Sequence, residues 1–187
     1  IDTHVHLYDQ AFDTDRDLVV ERAKNTGVRH CILPAIDKSS FRAQQECLAR
    51  YPWFCHKASG LHPTSVNTDF RKELDFAYSN LEGAVAIGEV GLDGYWSREF
   101  MEEQILALEE QVQWAREKDL PLIIHSRSSF PELLSTLKKC RYPGMRGILH
   151  AWSGSAEVFR EANRYGMSIA RNVGLRKQDA LRIARRS

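Results

Sequence analysis

Short apolar or β-branched runs alternate with amphipathic stretches along almost the whole chain, and this alternation restricts the possible folds more than any other feature. Strands are expected near Thr3–Leu7, Val28–Pro34, Phe54–Gly60, Ala84–Val90, Leu120–His125, Arg146–Ala151 and Met167–Ala170. Helical patterns lie between them, near Asp15–Asn25, Ser40–Tyr51, Asp69–Asn80, Glu99–Lys118, Pro131–Cys140 and Ala156–Tyr165. In the fourth helix Phe100, Met101, Ile105, Leu108, Val112 and Ala115 share one face, opposite Glu103, Glu109 and Glu110. Gly27 and Gly166 stand where left-handed residues end helices, and Ser128 and Ser129 precede Pro131 as an N-cap before a first-turn proline. Strand, helix, strand in repetition implies parallel strands joined by right-handed crossovers. The fold class is therefore α/β, either a doubly wound sheet or a closed (β/α)8 barrel of the TIM type.

The polar residues at the strand ends favour the barrel. His4 and His6 lie two apart on the first run, so period-two alternation sends both rings to one face, about 7 Å apart along the backbone. Glu89 ends the apolar run Ala84–Gly88, where a carboxylate needs a partner to offset its desolvation. His125 follows Leu122-Ile123-Ile124, and His150 follows Gly147-Ile148-Leu149. Four strands thus carry His or Glu at their ends. A barrel brings such ends to one place, whereas an open sheet spreads them along a line. A single histidine after an apolar run is more often a hydrogen-bonded core residue than a ligand. Here four of seven histidines recur in this context beside a buried glutamate, and a shared metal centre explains them together. His30 and His56 lack that context and are assigned to surface or loop.

Net charge of +1 over 187 residues gives no global attraction to nucleic acid or to a membrane. No apolar run approaches the roughly 20 residues of a spanning helix. One domain, 1–187, is expected at this length. Cys31, Cys47, Cys55 and Cys140 form no C-x-x-C pair, and Cys31 and Cys47 read as small core fillers. A reducing compartment fits this usage, cytoplasmic, or nuclear in a eukaryote. No G-x-G-x-x-G follows a strand, which disfavours dinucleotide binding. No feature marks an obligate protein partner.

Five motifs in order, Asp2-Thr3-His4-Val5-His6-Leu7, Gly60-Leu61-His62-Pro63, Gly88-Glu89-Val90-Gly91-Leu92-Asp93, Pro121–Arg127 and His150-Ala151-Trp152-Ser153-Gly154, resemble the TatD-type metal-dependent deoxyribonucleases of the amidohydrolase superfamily. The resemblance implies a distorted (β/α)8 barrel with one or two divalent ions. It implies that His4, His6 and Glu89 hold one ion, and that Glu89, His125 and His150 hold a second, with Glu89 bridging. The family's further metal-binding Asp, in a Glu-Thr-Asp motif, does not occur before Ser187. The chain therefore reads as incomplete at its C-terminus, within the helical-looking stretch Gln178–Arg186 and before a last strand. Its opening on Ile1 likewise suggests residues upstream. The tract Ser168–Gly174 departs from the family's Ser/Gly-rich version, and Trp152 replaces another aromatic.

The expected reaction is hydrolysis of DNA phosphodiesters, exonucleolytic in mode, by water activated at Zn, Mn or Mg. Glu89, Asp93 and His62 are the candidate catalytic residues, with Asp93 orienting ligands or water and His62 reaching a scissile phosphate. Arg127 is a candidate phosphate clamp, and Tyr95 and Trp96 can stack on a base or pack the barrel mouth. Basic residues outnumber acidic ones after Phe159, from Arg160 and Arg164 through Arg186; the bias suits either a nucleic-acid footprint or a solvated helix face. Two alternatives stay open. One is an amidohydrolase-type enzyme acting on a small amide, ester or lactone, although such sites often carry a carbamylated lysine where this chain has Glu89. The other is a catalytically impaired metal-binding barrel that serves as a binding protein.

Overall fold

A computed structural model describes residues 1–169. The expectations for Gln178–Arg186, for most of the tract 168–174 and for the arginines from Arg171 onward lie outside the described residues. Within them, six parallel strands form one sheet in chain order: β1 (Cys31–Pro34), β2 (Cys55–Ser59), β3 (Ala84–Asp93), β4 (Leu122–Arg127), β5 (Gly147–Leu149) and β6 (Met167–Ile169). Helices α1 (Arg16–Asn25), α2 (Phe41–Arg50), α3 (Phe70–Ser79), α4 (Met101–Glu117), α5 (Phe130–Cys140) and α6 (Ala156–Asn163) alternate with them. Neighbours in sequence being neighbours in the sheet, without a reversal of strand order, is the barrel pattern and not the doubly wound one.

The expected first strand is only partly formed. Asp2 makes one parallel bridge to Cys31, and Val5 N–H donates to the Ile32 carbonyl, but 3–7 is not a regular strand. The His4 amide donates to the Asp2 carboxylate at 3.1 Å instead of to a neighbouring strand, which interrupts the ladder. The segment nevertheless runs alongside β1. His56, expected on surface or loop, lies on β2 with its ring in an exposed contact, Nε2 3.0 Å from His30 Nδ1.

Burial sorts each strand by parity. Leu122 and Ile124 of β4 belong to the main core beneath the helices, with Leu108 and Val112 of α4 and Leu133 and Leu137 of α5. Ala58, Ala86 and Ile123 pack together on the opposite, concave side, flanked by Ile32 and Ile148. A separate cluster of Val5, Leu7, Phe12, Val19, Leu33 and Phe54 seats α1 and the N-terminal segment. All four cysteines are free, and Cys31 and Cys47 are buried as expected.

Polar residues inside α4 were not anticipated. Gln104 and Gln111, seven apart, lie on its buried face. Gln104 Oε1 accepts from Asp93 N–H at 2.8 Å, and Gln111 Oε1 accepts from Leu61 N–H at 2.6 Å. Strand backbone leaving the sheet must find partners, and these amides supply them. Gln44 of α2 does the same for the carbonyls of Leu33 and Ala58. Gly27 and Gly166 take φ of 89° and 84°, as their place after helices requires. Ser129 precedes Phe130 but caps nothing with its side chain; its hydroxyl donates to the Leu92 carbonyl at 2.8 Å, tying α5 to β3.

Candidate metal centre

His125 lies two residues beyond Ile123, and His150 two beyond Ile148, so alternation carries both onto the concave side. Glu89 reaches it differently. Ile87 faces the helices, and by alternation Glu89 would too. However, the pairing of β3 with β4 shifts by one between Ile87↔Leu122 and Val90↔Ile124. The extra residue reverses parity, so that Val90 and Leu92 take up the helix-facing positions and Glu89 turns inward.

Glu89 is 2% exposed and lies among five imidazoles. Its Oε2 is 2.6 Å from His4 Nε2 and 3.3 Å from His6 Nε2. Its Oε1 is 3.3 Å from His125 Nδ1, 3.6 Å from His62 Nε2 and 3.8 Å from His150 Nε2. Burial would raise its pKa, but contacts with His125, His4, His6 and His62 outweigh burial and hold the carboxyl well below its usual value. The rings of His4 and His150 stack at 3.4 Å between centroids. Every predicted ligand is thus in one cluster, joined by His62 from the loop after β2. Among the described residues, His4, Glu89 and His150, and likewise His62, Glu89 and His125, each bring three possible ligand atoms within 4.8 Å of one another, a grouping different from the one the resemblance implies.

The surrounding hydrogen bonds decide what each ring offers. Tyr8 donates its hydroxyl proton to the Pro34 carbonyl at 2.7 Å, so the 2.7 Å contact with His6 Nδ1 must be donated by the ring. His6 Nε2 is then a lone pair facing Glu89 Oε2. His125 Nε2 lies 2.8 Å from Asp93 Oδ2 and donates to it, leaving Nδ1 as a lone pair facing Glu89 Oε1. Two acceptors held 3.3 Å apart need a proton or a cation between them, and the motif occurs once on each carboxylate oxygen. The donor set therefore fits one or two divalent ions. His62 is the opposite case. Its Nδ1 accepts from Thr64 N–H at 3.2 Å, so in the neutral ring Nε2 carries the proton and points a donor at the centre.

Asp93 also joins the centre to the loop beyond it. Its Oδ1 accepts from Tyr95 N–H at 2.9 Å while Oδ2 holds His125. Arg127, at the end of β4, lies with its guanidinium 3.4 Å over the Tyr95 ring and 5.4 Å from that of Trp96. Tyr8, and the role of Asp93 as an anchor for two elements, depend on contacts across the fold. Only the period-two placement of Tyr8 after His4 and His6 hinted at the first.

Comparison with known proteins identifies the relatives of this chain. The family profile described as TatD related DNase matches residues 1–186. The chain is 36% identical over 173 residues to the uncharacterized metal-dependent hydrolase YabD of Bacillus subtilis, covering 90% of this chain and 67% of that protein. It is 30% identical over 174 residues to the 3'-5' ssDNA/RNA exonuclease TatD of Dickeya dadantii, covering 90% and 64%. The crystal structure of YjjV, a TatD homologue from Escherichia coli, superposes with a TM-score of 0.78 at 31% identity over 90% of this chain and 66% of that one. The chain spans about two thirds of the length of these relatives. The profile covers nearly the whole chain and the fold superposes on that of a TatD homologue: the chain belongs to the TatD related DNase family.

Proposed function

We propose that this protein hydrolyses phosphodiester bonds of DNA at a divalent-metal centre formed by His4, His6, Glu89, His125 and His150, from one end of the strand. The observation that carries the reading is the buried Glu89 carboxylate, each oxygen of which lies 3.3 Å from an imidazole nitrogen, His6 Nε2 on one side and His125 Nδ1 on the other. The named activity of the Dickeya relative, an exonuclease on single-stranded DNA and RNA, supports the substrate class. A bound divalent ion supplies an activated water and neutralises charge on the phosphate; Zn, Mn and Mg all suit a site of this composition.

The chain's own residues do the rest. Tyr8 and Asp93 orient His6 and His125 with their lone pairs inward. His62 Nε2–H is placed to donate to a phosphate oxygen near Glu89, where negative charge develops as the bond breaks. Arg127, steadied on Tyr95, offers a planar cation to a neighbouring phosphate.

The test is cleavage of 3′- and 5′-end-labelled single strands by the full-length protein with Mg, Mn or Zn. Controls are EDTA and Glu89→Ala. Metal-dependent shortening from one end that the variant loses supports the reading. Bound metal without cleavage of any strand refutes the substrate while leaving the centre.

A further inference from the structure

Beside the centre lies a cavity of about 310 Å³ that the hydrolytic chemistry does not use. It opens between the turn after His62 and the segment after β3, and Asp93, the anchor of His125, forms part of its wall. Pro63, Val66 and Phe100 make an apolar lining, and Trp96 forms one side while remaining 72% exposed. Asn67 and Glu99 stand among the lining residues with polar groups. The volume is at the small end of ligand pockets, suited to one planar ring system with its sugar. An exposed indole is costly to leave in water unless something covers it, and every nucleobase has a face that stacks on one.

We infer that this cavity seats one unpaired nucleobase of the substrate strand, stacked on Trp96, and so positions the adjoining phosphate toward Glu89. The inference rests on the nucleic-acid reading above and adds what that reading lacks, a reason for preferring single strands. A base held in a duplex is stacked on its neighbours and paired at its edge, and cannot enter a cavity of this size. Asp93 makes the seat and the centre one unit, because its two oxygens fasten the backbone of the stacking segment, at Tyr95, and the His125 ring. Filling the seat therefore acts on KM for the strand more than on the chemistry of the bond.

The experiment is equilibrium binding of fluorescently labelled 12-mers to the full-length protein in EDTA, which prevents cleavage. The probes are an oligothymidylate, a base-free strand of the same length and a blunt duplex. Wild type, Trp96→Ala and Trp96→Phe are compared, the exposed position making both variants safe for folding. The expected result is oligothymidylate binding roughly five- to tenfold tighter than the base-free strand, the difference being abolished by Trp96→Ala and kept by Trp96→Phe. Duplex binding should not depend on Trp96. Equal binding of both single strands by wild type, or an unchanged preference in Trp96→Ala, overturns the inference, as does no binding at all. Cleavage with metal, measured separately, keeps the two readings apart. A Trp96-dependent preference without cleavage leaves the seat and removes the nuclease. Cleavage indifferent to Trp96 does the reverse.

Discussion

The hydroxyl of Tyr8 lies 2.7 Å from His6 Nδ1 while giving its own proton to the Pro34 carbonyl. The contact settles the tautomer of a metal-ligand candidate from outside the metal site. Tyr8→Phe removes the acceptor and frees the His6 ring to turn or to change tautomer. The expected outcome is a ten- to hundredfold loss of metal affinity, with stability lowered by about 1 kcal/mol for the lost bond to Pro34. Chelator competition and thermal melting measure the two separately, and unchanged affinity would remove Tyr8 from the centre.

His62 and His125 are both close to Glu89 Oε1 yet are set up for opposite work. His125→Ala should abolish or strongly weaken metal binding. His62→Ala should leave metal affinity within about twofold and slow turnover by about 10²-fold, the usual effect of losing one donor at a developing oxyanion. A His62 variant that sheds its metal would show that His62 is a ligand and that its proton lies elsewhere.

Gly91 pairs with His125 across β3 and β4 and has φ of 137°. A Cβ there would sit 2.0 Å from the His125 carbonyl oxygen, backbone that cannot yield without moving β4. Gly91→Ala is expected to destabilise by about 3–5 kcal/mol, since steric overlap and disfavoured φ act together. In a chain of this size that lowers Tm by roughly 10 °C. A melt within about 2–3 °C of wild type would contradict the close approach.

Protons and metal compete for the same lone pairs, so pH dependence should appear most clearly in EDTA. Burial would lower the His125 pKa, but Glu89 and Asp93 outweigh it and raise it above 6.5. That raised value contributes stability that is complete below 6.5 and is lost as pH rises through the folded-state value. Glu89, held well below 4.5 despite burial, contributes stability present above 4.5 and lost as pH falls through its folded-state value. Metal-free protein should therefore melt highest in mildly acidic solution, and Glu89→Gln should flatten the profile on both sides. Metal affinity should rise with pH as His125 loses its proton. Melting and metal titration across pH 3–9 in steps of about one unit would reveal a flat wild-type profile if the coupling is absent.

The period of the apolar residues was enough to order six strands and six helices, because a parallel strand buried on both faces and an amphipathic helix each leave a local signature. His125 and His150 reach the concave side for the same local reason, two residues beyond Ile123 and Ile148. Helix ends at Gly27 and Gly166 were legible for a local reason as well, the left-handed backbone that follows a helix. Other features arise only when distant segments meet. The first run looked like a strand, yet the Asp2 carboxylate takes the His4 amide and interrupts the ladder. Nothing local in α4 marks Gln104 and Gln111 for burial; the strand backbone at Asp93 and Leu61, which needs partners, puts them inside. The orientation of Glu89 is the clearest case. Alternation alone points it toward the helices, and one extra residue in the pairing of β3 with β4 turns it to the centre. Residue type and spacing determined which groups are available for metal chemistry. Strand register and the hydrogen bonds of Tyr8, Asp93 and Thr64 decided which way each group faces and which atom carries the proton, because both are properties of contacts between segments far apart in the chain.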